Sequence, residues 1–193
     1  STQSSSSAAS DVYKRQPLGH KSQKNLNKEL VLKKLKPLLE DSSIKKIGQN
    51  IKFDFIVLFK HGITISTMED TMLMSYVLDA GKNRHNMDSL SEIHLNHKTI
   101  AFKDLVGTGK KEINFKDVDL EKAKDYAAED ADITFRLYKK FHKSLKDEKM
   151  VNIYELFEKP MIKILAFMEI EGIKIDNKFC LLYTSPSPRD SFR

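Results

Sequence analysis

Short strand-like runs alternate with amphipathic helical stretches through the middle of the sequence. Residues 43–48 alternate in the manner of a strand, and Asn50 suits the N-cap of a helix. Residues 51–61 then place apolar side chains at helical spacing before Gly62 stops the helix, and residues 63–66 form a second strand-like run. Because strands and helices in alternation build a sheet covered by helices, the pattern predicts an α/β fold.

Five other stretches carry the apolar repeat of amphipathic helices. They are residues 26–39, 70–78, 89–95, 119–146 and 154–170. Pro37 is expected to end or bend the last turn of the first helix, and Pro160 interrupts the last one. Residues 99–115 are mixed in composition and predict a loop with room for one short helix.

The composition limits the classes of function. With 193 residues, 40% of them hydrophobic, the chain can bury the core of an ordinary domain. Its single cysteine, Cys180, excludes an internal disulfide framework and a cysteine-based zinc site, so a metal would need oxygen or histidine ligands. No long apolar run or signal segment supports a membrane or secretory role, so we expect a cytoplasmic protein without a membrane partner. The net charge of +6 permits a polyanionic partner.

Two aspartates fall on apolar stripes, where a charge is expensive to bury. Asp54 lies between Ile51 and Leu58 on one predicted helix, and Asp130 follows Tyr126 by four residues on the longest one. Two carboxylates that converge on Mg²⁺ would explain this placement. Alternatively, each aspartate lies at a helix edge and reaches water or a lysine. The spacing alone leaves both explanations open.

Neighbouring polar residues are expected to have structural roles. Glu129 and Asp132 point in other directions around the long helix and are predicted to be solvated. The three histidines His85, His94 and His97 could suggest zinc, but core or surface positions are the better interpretation.

The runs IGQNIKFDFIVL (47–58) and YAAEDADITFRL (126–137) resemble the second and third exonuclease motifs of the 3'–5' proofreading domain of bacterial DNA polymerase I, a family A polymerase. The similarity covers residues 35–176 and includes LKPLLED, DTMLMSYVLDAG and NRHNMDSLSEIHLNHKTIAFKDLVGTGKK. Residues 154–176 resemble the junction at which the exonuclease domain meets the polymerase domain.

The resemblance implies a ribonuclease H-like fold, a mixed sheet flanked by helices, which hydrolyses the 3'-terminal phosphodiester of single-stranded DNA with two divalent ions, Mg²⁺ or Mn²⁺. Asp54 and Asp130 would be metal ligands, and Tyr126 would hold the attacking water or the scissile phosphate; these three would be the catalytic residues. The residues that would contact the DNA strand are Gln49, Asn50, Phe53, Arg84 and Phe102. The family further implies primer-template DNA as a partner of the parent polymerase, a monomer, and a place at the bacterial nucleoid.

Both ends of the sequence resemble translated sequencing adapters, in the runs DVYKRQ and CLLYTSPSPRD. We therefore expect adapter-derived tails at residues 1–16, predicted to be disordered, and 180–193, a partial exonuclease domain at 17–150, and the start of a polymerase domain at 151–179. The first strands of the fold and the family's first motif, an Asp-x-Glu, would then be missing. The one Asp-x-Glu present, at residues 119–121, is predicted to begin a helix instead.

An alternative is a degenerate exonuclease domain that binds DNA or supports the polymerase without cutting. The presence of Asp54, Tyr126 and Asp130 argues against this alternative but does not decide the question.

We predict that the chain by itself lacks exonuclease activity, because two of the four metal-binding carboxylates of the family are missing. The check is incubation of the purified chain with 3'-labelled single-stranded DNA and Mg²⁺. Degradation that the substitution Asp54→Ala abolishes would contradict the prediction.

Overall fold

A short parallel sheet and a set of surrounding helices make up the described part of the chain. The structure is a computed structural model that describes residues 27–107 and 113–174; both predicted tails lie outside these residues. The strands are β1 (Lys46–Gly48) and β2 (Met68–Asp70). The helices are α1 (Lys28–Glu40), α2 (Ile51–Phe59), α3 (Thr71–Asp79), α4 (Met87–Leu95), α5 (Phe102–Val106), α6 (Leu120–Asp147), α7 (Val151–Ile153) and α8 (Lys159–Glu171). A 3₁₀ turn spans Phe115–Asp117 and a π-helical turn spans Tyr154–Glu158.

The two strands run in parallel and are joined by a crossover through α2. Ile47 lies opposite Glu69, and Gly48 lies opposite Asp70. This β-α-β arrangement confirms the α/β prediction for the described residues at the level of fold class. Most of the described residues outside the loops are helical.

The prediction of a strand at residues 63–66 is wrong, because the strand is Met68–Asp70. Ile63 and Ile65 are buried as their alternation implies, but their segment has an irregular backbone. Thr67 then adopts a left-handed backbone with a φ of 50°, and pairing with β1 begins after it. The alternation of apolar residues at 63–66 therefore predicts which side chains are buried, but it does not predict the turn at Thr67 that sets the pairing of β2 with β1.

The predicted helices are confirmed, with ends that shift by at most five residues. The helix α1 continues past Pro37 to Glu40, so the proline does not end it. This helix lies at the surface, where water can satisfy the carbonyl that the proline leaves without a backbone donor. Pro160 is one of the first residues of α8, a position that tolerates proline, and the π-helical turn precedes it. Among the described residues, no helix has the length and apolar character needed to cross a bilayer.

Three buried clusters form the core of the part of the chain that the structure describes. One joins α2, β2 and α8 and contains Ile51, Phe55, Leu58, Ile63, Ile65, Met68, Ile162 and Ala166. A second joins α3, α4, α6 and the π-helical turn and contains Met74, Leu90, Ile133, Leu137, Phe141, Leu145 and Tyr154. A third lies beside the start of α6 and contains Val106, Phe115, Val118, Ala123 and Tyr126. The segment after residue 150 therefore contributes side chains to two of the three clusters.

One buried carboxylate caps two helices. Asp70 is only 1% exposed, and its Oδ1 accepts hydrogen bonds from the backbone N–H groups of Asn50 at 3.1 Å and Met72 at 2.9 Å. Its Oδ2 accepts from the N–H of Ile51 at 2.9 Å. Burial raises the pKa of Asp70, and the backbone N–H groups oppose that rise by stabilising the anion. Asn50 does stand at the N-cap of α2 as predicted, but the capping oxygens come from Asp70.

We expect Asp70→Ala to destabilise the protein by about 3–5 kcal/mol, because it leaves N–H groups at two helix N-termini without acceptors. The matched control is Asp119→Ala, which removes the exposed cap of α6 alone and should cost about 1 kcal/mol. Urea unfolding of both variants measures the difference. Equal losses would show that Asp70 acts as an ordinary cap of one helix.

Candidate active site

The two residues predicted to be catalytic on the long helix lie on one side of it. Tyr126 and Asp130 lie one turn apart on α6, where the phenol and the carboxylate are near enough for an interaction between them to shift both pKa values. Tyr126 is buried and Asp130 is half-buried. Burial and the Asp130 carboxylate raise the pKa of the phenol, so Tyr126 remains a protonated donor at neutral pH.

The Asp130 carboxylate lies in an environment that disfavours its charge. Burial is the main cause that raises its pKa, to about 7, and the carboxylates of Asp88 and Glu129 add to the rise. The interaction with the Tyr126 hydroxyl opposes it. Asp88 comes from α4 and itself accepts a hydrogen bond from Thr99 Oγ1 at 2.7 Å. A cation at this position would relieve the repulsion among these groups.

The prediction that Glu129 is solvated is wrong. Its Oε1 lies 2.8 Å from His97 Nε2, and its Oε2 accepts a hydrogen bond from the backbone N–H of Ile100 at 2.7 Å. The segment after α4 folds back over this part of α6, a tertiary contact that helical periodicity does not show. Asp132 is exposed as predicted and forms a 3.5 Å ion pair with Arg136.

Three aromatic rings pack beside the pair. Phe102 stacks against Phe115 with their centroids 5.7 Å apart, and the Tyr126 ring lies 6.2 Å from each of them. Phe102 begins α5 and remains half-buried. The structure therefore brings a predicted DNA-contacting residue next to the predicted catalytic tyrosine.

Asp54 lies on a different element, in the first turn of α2. It is half-buried, between the buried residues Ile51 and Phe55 of the same helix. Asn50, just before the helix, has a left-handed backbone with a φ of 61°, and Phe53 is half-buried one turn on. This group of residues depends for its position on the Asp70 carboxylate, which binds the first N–H groups of the helix.

The two remaining predicted DNA contacts have different surroundings. The amide of Gln49 is engaged within the protein: its Nε2 donates to the carbonyl oxygen of His85 at 2.8 Å, and its Oε1 accepts from the Thr71 hydroxyl. Arg84 is exposed in the connection between α3 and α4. The two side chains thus differ in how readily a strand of DNA could reach them.

The histidines and the Asp-x-Glu run make structural contacts. His85 Nδ1 lies 2.9 Å from the Ser75 hydroxyl, and the ring of His94 packs edge-on against Phe141. Asp119 caps the N-terminus of α6 through the N–H groups of Glu121 and Lys122, which confirms that this run begins a helix. In the described ranges, no three His, Cys, Asp or Glu side chains group together as a metal site.

Sequence reasoning missed the polar residues buried around β2. Glu69 and Asp70 are 2% and 1% exposed, and the Tyr154 hydroxyl binds both. The available signal was the Met-Glu-Asp run, because two successive acidic residues between apolar residues and a helix indicate a cap and a buried partner. Asp88 was also missed, since only the tertiary fold brings it near Asp130.

Comparison with known proteins identifies the family to which the chain belongs. A family model described as 3'-5' exonuclease matches residues 6–146, more than half of the chain. The chain belongs to this 3'-5' exonuclease family. The match overlaps the predicted adapter tail at residues 6–16, and the domain boundaries remain predictions.

Curated relatives of this exonuclease family member include DNA polymerase I from several bacteria. It is 46% identical over 147 residues to DNA polymerase I of Rhizobium leguminosarum. This alignment covers 76% of the chain and 14% of that protein. It is 41% identical over 155 residues to DNA polymerase I of Pseudomonas aeruginosa, covering 78% of the chain and 17% of the relative. It is 37% identical over 164 residues to DNA polymerase I of Borreliella burgdorferi, and this alignment covers 84% of the chain and 18% of the relative. The chain thus spans about one sixth of the length of these relatives.

The shifted pKa of Asp130 predicts a pH-dependent stability. The folded chain binds the Asp130 proton more tightly than the unfolded chain, so this group's contribution falls as the pH rises from about 4 to about 7. Asp130→Asn has no such loss. The free energy of unfolding of Asp130→Asn, minus that of the unsubstituted chain, should therefore rise between about pH 4 and about pH 7 by at most about 4 kcal/mol. Above about pH 7 this difference should stay constant.

The measurement is urea unfolding at a series of pH values with a chelator present. Asp132→Asn, which removes an exposed carboxylate from the same helix, is the control and should follow the unsubstituted chain. A constant difference between Asp130→Asn and the unsubstituted chain from pH 4 to pH 7 would contradict the assigned environment.

Proposed function

We propose that this chain carries most of the proofreading exonuclease of a bacterial DNA polymerase I, which removes 3'-terminal nucleotides from single-stranded DNA. The observation that carries the proposal is the Tyr126–Asp130 pair, in which a protonated phenol lies beside a half-buried carboxylate whose charge Asp88 and Glu129 disfavour. A surface carboxylate with a structural role would not need this environment. Family membership and polymerase relatives support the same assignment.

The residues present fit divalent cations of the Mg²⁺ or Mn²⁺ type. Asp54 and Asp130 offer the oxygen ligands that these ions prefer, and the charges around Asp130 favour a cation over a further anion. Bound ions would lower the pKa of a water molecule and stabilise the charge on the leaving oxygen. In our proposal Asp54 and Asp130 hold two such ions together with two further carboxylates from the family's first Asp-x-Glu motif, which is distinct from the helix-capping Asp-x-Glu at residues 119–121.

Tyr126 positions the reacting groups. Its buried phenol stays protonated at neutral pH, so it can donate a hydrogen bond and cannot serve as a base there. It is held by the ring packing of Phe102 and Phe115 as well as by Asp130. A donor fixed in this way can orient the attacking water or the scissile phosphate.

The DNA strand would reach the site along residues near α2, α5 and the loop before α4. Phe53 and Phe102 are half-buried and offer ring faces or edges for bases, and Arg84 is an exposed partner for phosphate. The Asn50 side chain is free of a capping role, so its amide can contact a sugar or phosphate. Gln49 would contact DNA only by exchanging its bond to Thr71 or His85.

The finer domain assignment is also part of the proposal. The exonuclease portion occupies residues 17–150 of a ribonuclease H-like fold that lacks its first strands, and a polymerase domain begins in residues 151–179. The parent protein would act on primer-template DNA as a monomer in the bacterial nucleoid. Reading the coding sequence upstream of residue 17 tests the assignment directly, because an Asp-x-Glu on an apolar strand must be found there.

The decisive test is the exonuclease activity of the longer polypeptide that the proposal requires. Asp130→Asn should lower 3'–5' hydrolysis of single-stranded DNA on the order of a hundredfold or more, because it removes a metal ligand. Asp132→Asn on the same helix is the matched control and should stay within about twofold.

Equal activity in the two variants would refute the catalytic assignment of Asp130. A longer polypeptide that binds single-stranded DNA but hydrolyses none under any condition would favour the degenerate domain, in which the fold binds DNA or supports a polymerase.

A further inference from the structure

Two consecutive buried acids end the second strand of the sheet. Glu69 and Asp70 are almost completely shielded from water, yet each is partnered through its side chain. Asp70 accepts hydrogen bonds from the N–H groups that begin α2, the helix that carries Asp54. Any group that fixes these two acids therefore also fixes the start of α2.

The partners of the two acids come from far along the sequence. The Tyr154 hydroxyl donates to Glu69 Oε2 at 3.1 Å and accepts from the backbone N–H of Asp70 at 3.0 Å. Lys159 Nζ donates to Glu69 Oε1 at 2.8 Å, while Lys45 Nζ is more distant at 3.8 Å. Burial raises the pKa of Tyr154, so the phenol keeps its proton for Glu69.

The π-helical turn explains how both partners reach the same carboxylate. Tyr154 and Lys159 are five residues apart, and in an α-helix they would point about 140° away from each other. The turn Tyr154–Glu158 instead has the wider i to i+5 bond, in which the backbone N–H of Lys159 donates to the carbonyl of Tyr154. Lys159 Nζ consequently lies 5.7 Å from the centre of the Tyr154 ring, on the side of Glu69.

The helix that follows the turn packs directly on α2. The ring of Phe167 meets the rings of Phe55 and Phe59 edge-on, at 5.7 and 5.3 Å between centroids. Lys52 of α2 forms an ion pair with Glu169 of α8. The helix with Asp54 is thus held at its N-terminus through Asp70 and along its side by α8.

We propose that Tyr154 and Lys159 are positioning residues of the exonuclease site, which act on Asp54 through Glu69, Asp70 and the N-terminus of α2. The inference rests on the proposed function in assigning Asp54 as a metal ligand. The segment after residue 150, which resembles the start of the polymerase domain, is then also a structural part of the exonuclease site. A change in that segment alters the exonuclease site without any contact to DNA or metal.

The test uses the full chain and compares Tyr154→Phe with Tyr138→Phe. Both variants remove one hydroxyl, and the Tyr138 hydroxyl has a single distant contact with Lys45 Nζ at 3.4 Å. Amide hydrogen exchange by NMR should show the N–H groups of Asn50 and Ile51 exchanging about tenfold faster in Tyr154→Phe, with the amides in the middle of α6 unchanged. Tyr138→Phe should leave all of these rates unchanged.

A second variant guards against misfolding of the first. Lys159→Met removes the ammonium group from Glu69 and should accelerate the same two amides by a similar factor, whereas Lys163→Met, at an exposed position of α8, should not. If all amides exchange faster by the same factor, the network contributes only to global stability and the proposal is wrong. If the exchange of Asn50 and Ile51 is not accelerated, the network does not position α2 and the proposal is also wrong.

A titration with Mn²⁺ separates this inference from the proposed function. Mn²⁺ should broaden the amide resonances around Asp54 in the unsubstituted chain, and Tyr154→Phe should raise the concentration needed by about threefold to tenfold. If Mn²⁺ broadens none of these resonances in the unsubstituted chain, the metal assignment of Asp54 fails, and the exchange data alone decide whether the network positions α2.

Discussion

The buried carboxylate of Asp70 is the interaction on which the rest of the described structure depends. It accepts from the first N–H groups of α2 and of α3, so the two helices that flank the sheet share one acceptor. An anion is most stable at a helix N-terminus, and here two such termini converge on it, which compensates for its removal from water. The strand, both helices and the segment after residue 150 are arranged around this group. A neutral side chain of similar size could not satisfy the same set of donors.

The candidate active site follows a different electrostatic rule. Around Asp130 the neighbours are carboxylates, and the protein holds them together with a phenol, a histidine and a backbone N–H group. Such an arrangement weakens the fold in the absence of a counterion, since like charges lie close together in a partly dry environment. Proteins accept a cost of this kind where function requires it. The two acids therefore differ in their surroundings: Asp70 is stabilised by backbone N–H groups, whereas Asp130 lies among carboxylates that disfavour its charge.

The periodicity of apolar residues predicts most of the helices, but it does not predict the polar contacts between residues distant in sequence. The periodicity of residues 51–61 and 119–146 predicted α2 and α6 and placed Ile51, Phe55 and Leu137 in the core, because one apolar face suffices to define each helix. The strand after Thr67 was misplaced, since a left-handed residue leaves no periodic signal. Glu129 was judged solvated because its partners, His97 and Ile100, approach from another part of the chain. The motif resemblance identified Tyr126 and Asp130 as a pair, whereas Asp88, Glu69 and Tyr154 required the three-dimensional arrangement.

The π-helical turn also limits how the sequence can vary in length. If the turn Tyr154–Glu158 became a regular α-helix with no change in length, Lys159 and everything after it would rotate by about 100° relative to Tyr154. Lys159 would then leave Glu69, and Phe167 would leave the rings of α2. Deleting one residue from the turn would keep the same face of α8 on the domain through a regular α-helix, whereas inserting one would change that face. The length of this segment and its helix type are therefore coupled: a five-residue interval from Tyr154 to Lys159 requires the π-helical turn, and a four-residue interval would require a regular α-helix.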